Sequence, residues 1–373
     1  MAPPTPFLAG VRVLDLTRVL AGPLATMILG DLGADVLKVE RPDGGDETRG
    51  WGPPFDGRGE SAYYLSVNRN KLSVALDLDR PEDRELVARL AADADVVVEN
   101  FRRGTLERRG LDPDALLARH PALVWCTITG FGPDSPRPGY DFVVQAERGW
   151  MAITGEPGGA PMKVGVALAD ILAGKDAAIA VLAALAARGR AARGPAEAGA
   201  RRLFVSLADS AAAALVNVAQ NALVSGRDAA RWGNAHANLV PYQLFDAADR
   251  PIVVAVGSDP QWRACALALQ LPELAADERL ATNAGRLAER ARVVGAVAAR
   301  IRERPAAEWL ARLDRAGVPC GVVKSVLEVL REVEASPLTG VAPSVPGSVR
   351  LPPPRLDEHG AIVRERGWGA FGS

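Results

Sequence analysis

The chain has 373 residues, 48% of them apolar and 24% charged. This is an ordinary globular composition, with enough mass for a large core and two domains. The formal net charge is −1, so there is no basic field to gather nucleic acid.

Three scattered cysteines, Cys126, Cys265 and Cys320, form no metal-binding or paired spacing. Residues 1–7 have neither a basic start nor an apolar signal core. The longest apolar stretch, 177–187, is too short to span a bilayer. Together these features predict a cytoplasmic protein with reduced thiols and no membrane partner.

The first forty residues read as a βαβ unit. Residues 11–16 form a strand rich in branched side chains, 17–23 a turn, 24–32 an apolar helix opened by Pro23, and 35–40 a second strand. Gly33 suits the position after the helix, where positive φ is needed. A long Gly/Pro-rich loop follows at 41–59, and loops of that length are usually functional. Residues 72–78 form a strand. A helix from Pro81 to about Asp93 carries Glu82, Asp83 and Glu85 in its first turn, at the positive end of its dipole. Strands at 95–99 and 123–129 flank a short helix capped by Asp112-Pro113 and ended by His120.

Residues 163–169 read as another strand-like run, followed by a helix over 171–187, a loop at 188–201, a strand at 202–207 and an alanine-rich helix to Val224. The character changes near Gly226. Residues 227–242 are polar and irregular. Beyond them come a strand at 251–256, helices near 262–269, 284–304 and 306–315, a strand at 318–323 and a helix at 325–334. The proline-rich tail after Ser336 reads as an extended arm. Strand–helix alternation with short connections predicts an α/β fold with a Rossmann-like, doubly wound parallel sheet and a second, smaller α/β domain. The expected division is 1–225 as the large domain, 226–325 as the small one, and 326–373 returning to the first.

Several chemistries lack their motifs. There is no phosphate-binding Gly-x-x-x-x-Gly-Lys-Ser/Thr loop and no Gly-x-Ser-x-Gly elbow. The first βα turn, Thr17-Arg-Val-Leu-Ala-Gly-Pro23, lacks the dinucleotide glycines, which disfavours a nicotinamide-dependent oxidoreductase. The three histidines, His120, His236 and His359, have no evident nucleophile partner.

Asp170 stands out as a charge among apolar neighbours, between a strand-like run and a long helix pattern. Position alone supports two readings. An aspartate there satisfies free N–H groups as an N-cap. A carboxylate at a strand's carboxyl end also lies where open α/β folds place ligands.

An ordered set of segments resembles the class III CoA-transferase (CaiB–BaiF) family. The set comprises residues 8–23, 29–40, Gly45-Asp-Glu-Thr-Arg49, Asn68-Arg-Asn-Lys71, 95–102, Thr129-Gly-Phe-Gly132, 164–174, Arg231-Trp-Gly-Asn-Ala-His236 with Pro241-Tyr242, and Ala316-Gly-Val-Pro-Cys-Gly321. The likeness covers nearly the whole chain. It implies a Rossmann-like large domain, an interlocked homodimer, and acyl-CoA and an organic acid as substrates, with no tightly bound cofactor. It also implies that Asp170 is the nucleophile, forming a covalent aspartyl intermediate as CoA moves from an acyl-CoA donor to a carboxylic acid acceptor.

Residue by residue, the resemblance places Leu20 and Ala21 beside the CoA thiol arm and Arg41 at a phosphate. It places Leu76, Asp77, Leu78 and Asp79 beside the adenine, Asn100, Phe101 and Arg102 on the nucleotide, and Arg108 on a phosphate. Gly139, Tyr140 and Asp141 fall beside the thioester. Without the resemblance, Phe101 reads as a core aromatic and Arg41 as a solvated surface arginine, and Asp141 reads as an N-cap as readily as a functional residue. The racemase branch of the family carries a histidine where Tyr140 stands, and a tyrosine of reference pKa about 10 is a poor base at neutral pH. That disfavours an acyl-CoA racemase or epimerase, while a non-catalytic CoA-binding protein is disfavoured by Asp170 itself. The family's glycine-rich flap is represented only by Val256-Gly-Ser-Asp259. In Pro354-Arg-Leu-Asp-Glu-His359, Asp357 replaces the usual glycine.

Overall fold

Parallel strands buried on both faces read as nearly continuous apolar runs, and the first half of the chain builds its sheet from such runs. The structure is a computed structural model and describes residues 6–191 and 201–372. In chain order it contains β1 (Arg12–Leu16), α1 (Ala21–Asp31), β2 (Asp35–Glu40), α2 (Ala62–Leu65), β3 (Lys71–Ala75), α3 (Pro81–Ala92), β4 (Val96–Glu99), α4 (Pro113–Arg119) and β5 (Val124–Thr129). Next come α5 (Asp141–Glu147), α6 (Trp150–Ile153), α7 (Leu168–Ala191), β6 (Arg202–Ser206), α8 (Leu207–Ala213) and α9 (Val216–Ser225). The expected loop at 188–201 lies largely outside the described residues.

The six strands form one sheet in the order β3-β2-β1-β4-β5-β6, every neighbouring pair parallel. The order reverses between β1 and β4, and a doubly wound sheet opens a crevice at that point beyond its carboxyl ends. Alternation along the strands divides the core. Val13, Val36, Val96, Val98 and Val124 face α1, α7 and α8, while Leu14, Leu16, Leu37, Val97 and Trp125 face α3, α4 and the chain's end.

The remaining elements are β7 (Tyr242–Asp246), β8 (Pro251–Ala255), α10 (Asp259–Ala268), α11 (Pro272–Ala275), α12 (Asn283–Ala288), α13 (Arg290–Ile301), α14 (Ala306–Arg315), β9 (Cys320–Val322), α15 (Val326–Leu330), a two-residue pair β10 (Ala335–Ser336) and β11 (Gly340–Val341), and α16 (Gly360–Arg366). Strands β7, β8 and β9 form an antiparallel sheet. The chain divides into two compact units. One comprises Met1–Trp150, Lys163–Arg227 and Val333–Ser373, the other Met151–Met162 and Asp228–Glu332. The second has its own core, built around Trp262, Trp309 and Ile252.

Several sequence expectations need correction. Residues 163–167 form no strand, because β6 takes the place beside β5 and leaves that segment without a partner. The strand expected to reach residue 78 stops at Ala75. Pro23 is the third residue of α1 rather than the first. The alanine-rich helix to Val224 is two helices, α8 and α9, bent by 67°, and the helix expected at 284–304 breaks between α12 and α13. The tail is not wholly extended but ends in α16 and a 3-10 turn, packing Val363 and Trp368 into the sheet's core. Gly33 does follow α1 at φ +110, and Asp112 does cap α4. No single helix among the described residues is long and apolar enough to cross a membrane.

Candidate active site

A cavity of about 870 Å³ opens in the larger unit at the reversal of strand order. Its walls are the turn after β1 (Arg18–Ala21), the segment after β4 (Glu99–Arg108), the carboxyl end of β5 with residues 132–140, and Asp170 near the start of α7. A second cavity of about 250 Å³ lies beyond β2 and β3. Arg18, Phe101 and Thr105 line both.

The structure thus brings together Leu20, Ala21, Asn100, Phe101, Arg102, Arg108, Gly139, Tyr140 and Asp170 around the first cavity. Arg41, Leu76, Asp77, Leu78 and Asp79 line the second. Arg41 is exposed and donates from Nε to the Gly45 carbonyl at 2.9 Å. Asp141 lines neither cavity and lies beneath the first.

Asp170 is the third residue of α7, not its N-cap. Its position follows from a close helix contact. A Cβ on Gly174, one turn further along, would sit 2.6 Å from the Ala21 carbonyl oxygen and 3.2 Å from Leu24 Cδ2. Glycine there lets α7 press onto the start of α1, which brings Asp170 beside Leu20 and Ala21. Among the described residues no donor reaches the Asp170 carboxylate. Burial, and then the negative charge of Asp141, push its pKa up to about 7.

Asp141 is the first residue of α5, with Tyr140 at the cap position. Its carboxylate is spent on structure, accepting the Ala169 N–H at 2.7 Å and the Gln145 amide at 2.6 Å. It therefore ties α5 to the start of α7 directly under Asp170. Gly139 is needed for a close approach, since a Cβ there would lie 2.2 Å from Gly130 Cα at the end of β5. Tyr140, 58% exposed, projects from that junction into the cavity.

The nucleotide-type residues divide into free and engaged groups. Arg102 and Arg108 are exposed and make no ion pair among the described residues. Phe101 is half-buried against the core, with the Arg18 guanidinium 5.5 Å from its ring centre. Both ends of the Asn100 amide are engaged: Oδ1 accepts the Arg18 N–H at 3.0 Å and Nδ2 donates to the Arg18 carbonyl at 2.8 Å.

Sequence reasoning missed three residues here. Arg18 lies between the cavities and pairs with Glu47, while its buried Nε has no partner among the described residues. Its place in the first βα turn was the available signal. Tyr63 on α2 packs edge-on to Trp51. Its phenol is pushed up to about 12 by burial and by the charges of Asp170, Asp141 and Asp46, which places it near the candidate nucleophile. Glu99 accepts from the Thr127 hydroxyl and the Phe101 N–H, and burial raises its pKa.

A half-buried carboxylate in a large cavity at a doubly wound sheet's reversal point marks a candidate site for an extended ligand. Comparison with known proteins names the class. The profile of CoA-transferase family III matches residues 8–343. The chain is 40% identical to succinate–glutarate CoA-transferase of Agrobacterium fabrum, covering 96% of this chain and 95% of that protein. It is 41% identical to mouse succinyl-CoA:glutarate CoA-transferase, covering 94% and 84% respectively. A crystal structure of a CaiB/BaiF family protein from Brucella suis superposes with a TM-score of 0.83 at 40% identity, over 97% of this chain and 99% of that one. The chain belongs to CoA-transferase family III and is a CoA-transferase.

Proposed function

We propose that this enzyme moves CoA between short dicarboxylic acids through a covalent intermediate on Asp170. The observation that carries the mechanism is the Asp170 carboxylate, unpartnered in the cavity and with its pKa about 7. The names of the two relatives, which specify succinate and glutarate, support the acid class.

In this reading Asp170 exchanges acid and CoA in four steps. An Asp170 oxygen attacks the thioester carbonyl carbon, the C–S bond breaks, and CoA leaves as thiolate from a mixed anhydride. Thiolate then attacks the Asp170 carbonyl carbon, releasing the donor acid and leaving an aspartyl–CoA thioester. The acceptor carboxylate attacks that thioester, forming a second anhydride and freeing thiolate again. Thiolate attacks the acceptor's carbonyl carbon, which restores the Asp170 carboxylate and releases the new acyl-CoA. Every step exchanges one oxygen or sulfur nucleophile for another, so no separate base is required. A carboxylate without donors around it is a stronger nucleophile than one in water, and near neutral pH much of it is ionised.

In this reading the adenosine end lies against Arg41 and 76–79, and Phe101, Arg102 and Arg108 meet the nucleotide and its phosphates. The pantetheine arm runs past Leu20 and Ala21 to Asp170, with Gly139, Tyr140 and Asp141 shaping the thioester end. The larger unit is the CoA-binding domain. The protein is cytoplasmic and acts as an interlocked homodimer. Exposed apolar side chains on α7 and α9, with Ile179 63%, Leu223 77% and Val224 77% accessible, support a partner surface.

The test incubates the protein with succinyl-CoA and glutarate and follows glutaryl-CoA and the Asp170 adduct by mass spectrometry. Transfer with an adduct on the peptide containing Asp170 is the expected result. Transfer retained in Asp170→Asn overturns the mechanism. Rapid α-carbon deuterium exchange in a 2-methylacyl-CoA, lost in Asp170→Ala, would establish racemisation instead.

A further inference from the structure

The turn between β1 and α1 is held in an unusual way. Val19 has φ +74, a left-handed conformation that a β-branched residue adopts only when its surroundings force it. Five successive backbone groups around it are each bound by a side chain. The Thr17 N–H donates to Asp15 Oδ1 at 2.9 Å, and the Thr17 carbonyl accepts from Lys38 Nζ at 2.9 Å. The Arg18 N–H and carbonyl are clamped by the Asn100 amide at 3.0 and 2.8 Å. The Val19 N–H faces both Asp46 oxygens at 3.3 Å.

Beneath the turn, Asp46 is fixed in its own right. It accepts from Lys38 Nζ at 3.1 Å and from the Thr48 N–H and hydroxyl at 3.0 and 2.8 Å. Lys38 and Asp46 are buried, with side chains wholly inaccessible to solvent. Replacing a buried ion pair by apolar residues is often neutral or favourable for stability, so stability gives no reason to place one here. Besides capping the 3-10 turn at Glu47–Gly50 through Asp46, the pair reaches the backbone of Thr17 and Val19. The turn it holds presents Leu20 and Ala21 to the cavity beside Asp170.

We propose that Asp46, Lys38 and Asn100 are positioning residues that hold Val19 in its strained conformation so that Leu20 and Ala21 face the Asp170 carboxylate. The proposal rests on the reading that Asp170 attacks the thioester in this cavity. It adds that the attack geometry is set by a side-chain cradle 27 and 82 residues away in sequence, not by the turn's own conformational preference.

Glycine adopts φ near +74 without strain, and this yields a rescue test. Asp46→Ala is expected to lower kcat by about 10–100-fold, the scale of a small misplacement at a reacting centre. The calorimetric Kd for free CoA should stay within about threefold, because the Asp46 side chain at the wall of the second cavity is wholly buried and its carboxylate is spent on Lys38, Thr48 and Val19. Val19→Gly in the Asp46→Ala background should recover at least about fivefold of the lost kcat. A cradle that merely supports the fold would lower the melting temperature and show no such rescue. Should Asp46→Ala fail to fold, Asn100→Ala replaces it, since Asn100 is only half-buried. The same loss and the same rescue by Val19→Gly are expected. Either variant keeping wild-type kcat, or a glycine that recovers nothing, overturns the proposal. Asp170→Asn, assayed in parallel, separates the two readings. Turnover retained there removes the nucleophile, and the proposal with it. Turnover lost there but unaffected by the cradle variants removes the positioning role alone.

Discussion

Asp170→Asn is expected to abolish transfer and, at the same time, to stabilise the protein above neutral pH. In the unfolded chain the carboxyl titrates near its ordinary 3.8, and in the folded protein burial and Asp141 carry it to about 7. Between those values the folded state retains a proton that the unfolded chain has released. Stability therefore falls as pH rises through the window, and the loss is complete above pH ~7. At about 1.4 kcal/mol per tenfold, the full displacement corresponds to ~4 kcal/mol. Asp170 borders an open cavity, and water screening reduces the expected cost to about 1–2 kcal/mol. Asparagine keeps the shape and does not titrate, so the variant avoids this cost. Urea denaturation of both proteins at pH values from 4.5 to 8.5 measures the difference. It should be small at the acid end, grow toward pH 7 and then level off in favour of the variant. A difference that does not change with pH, or that favours the wild type at pH 8.5, refutes the argument that burial and Asp141 raise the Asp170 pKa.

Other residues give independent tests. Asp141→Asn leaves the burial that chiefly raises the Asp170 pKa but removes the secondary contribution of a neighbouring charge while keeping an acceptor for the Ala169 N–H, so the acidic limb of the kcat/KM profile should move modestly to lower pH. Gly174→Ala forces a Cβ to 2.6 Å from the Ala21 carbonyl oxygen. It should destabilise the protein by about 1–3 kcal/mol in urea and lower kcat more than it raises KM. Asp357 has φ +56, and its carboxylate accepts the Ala75 N–H at 2.7 Å at the sheet's edge strand. Asp357→Ala loses that bond and keeps the strain, whereas Asp357→Gly loses the bond alone. The alanine variant should be the less stable of the two by about 1 kcal/mol. In the second unit Arg286 is 1% exposed and bonds the carbonyls of Val240, Leu280 and Ala281 as well as the Asp259 carboxylate. Arg286→Ala leaves three backbone carbonyls without their partner while water can reach the half-exposed Asp259 carboxylate, and calorimetry should show that unit destabilised by about 2–4 kcal/mol.

The Asp357 position shows how a departure from a family pattern acquires a reason. Read as sequence, the aspartate at 357, where the family resemblance implies glycine, had no meaning. The fold places it at a left-handed position beside an open sheet edge, where a short acceptor side chain is tolerated and caps a strand N–H. The 163–169 run shows the opposite case. Its apolar residues imitate a strand, but β-structure requires a neighbour, and the neighbouring place beside β5 belongs to β6.

What the sequence determined by itself is local. Branched apolar runs gave the strands of the parallel sheet to within a residue or so at most ends. Proline and aspartate marked the starts of α3 and α4, and glycine marked the end of α1. Such signals depend on steric and hydrogen-bonding preferences of a few adjacent residues, which remain the same wherever the segment lies. The tertiary structure decided the rest. The strand order that opens the cavity between β1 and β4, the pressing of α7 onto α1 through Gly174, and the burial and Asp141 charge that raise the Asp170 pKa all arise from residues distant in the chain. A carboxylate's pKa and a strained turn are set by what surrounds them in space, and those surroundings exist only once the chain has folded.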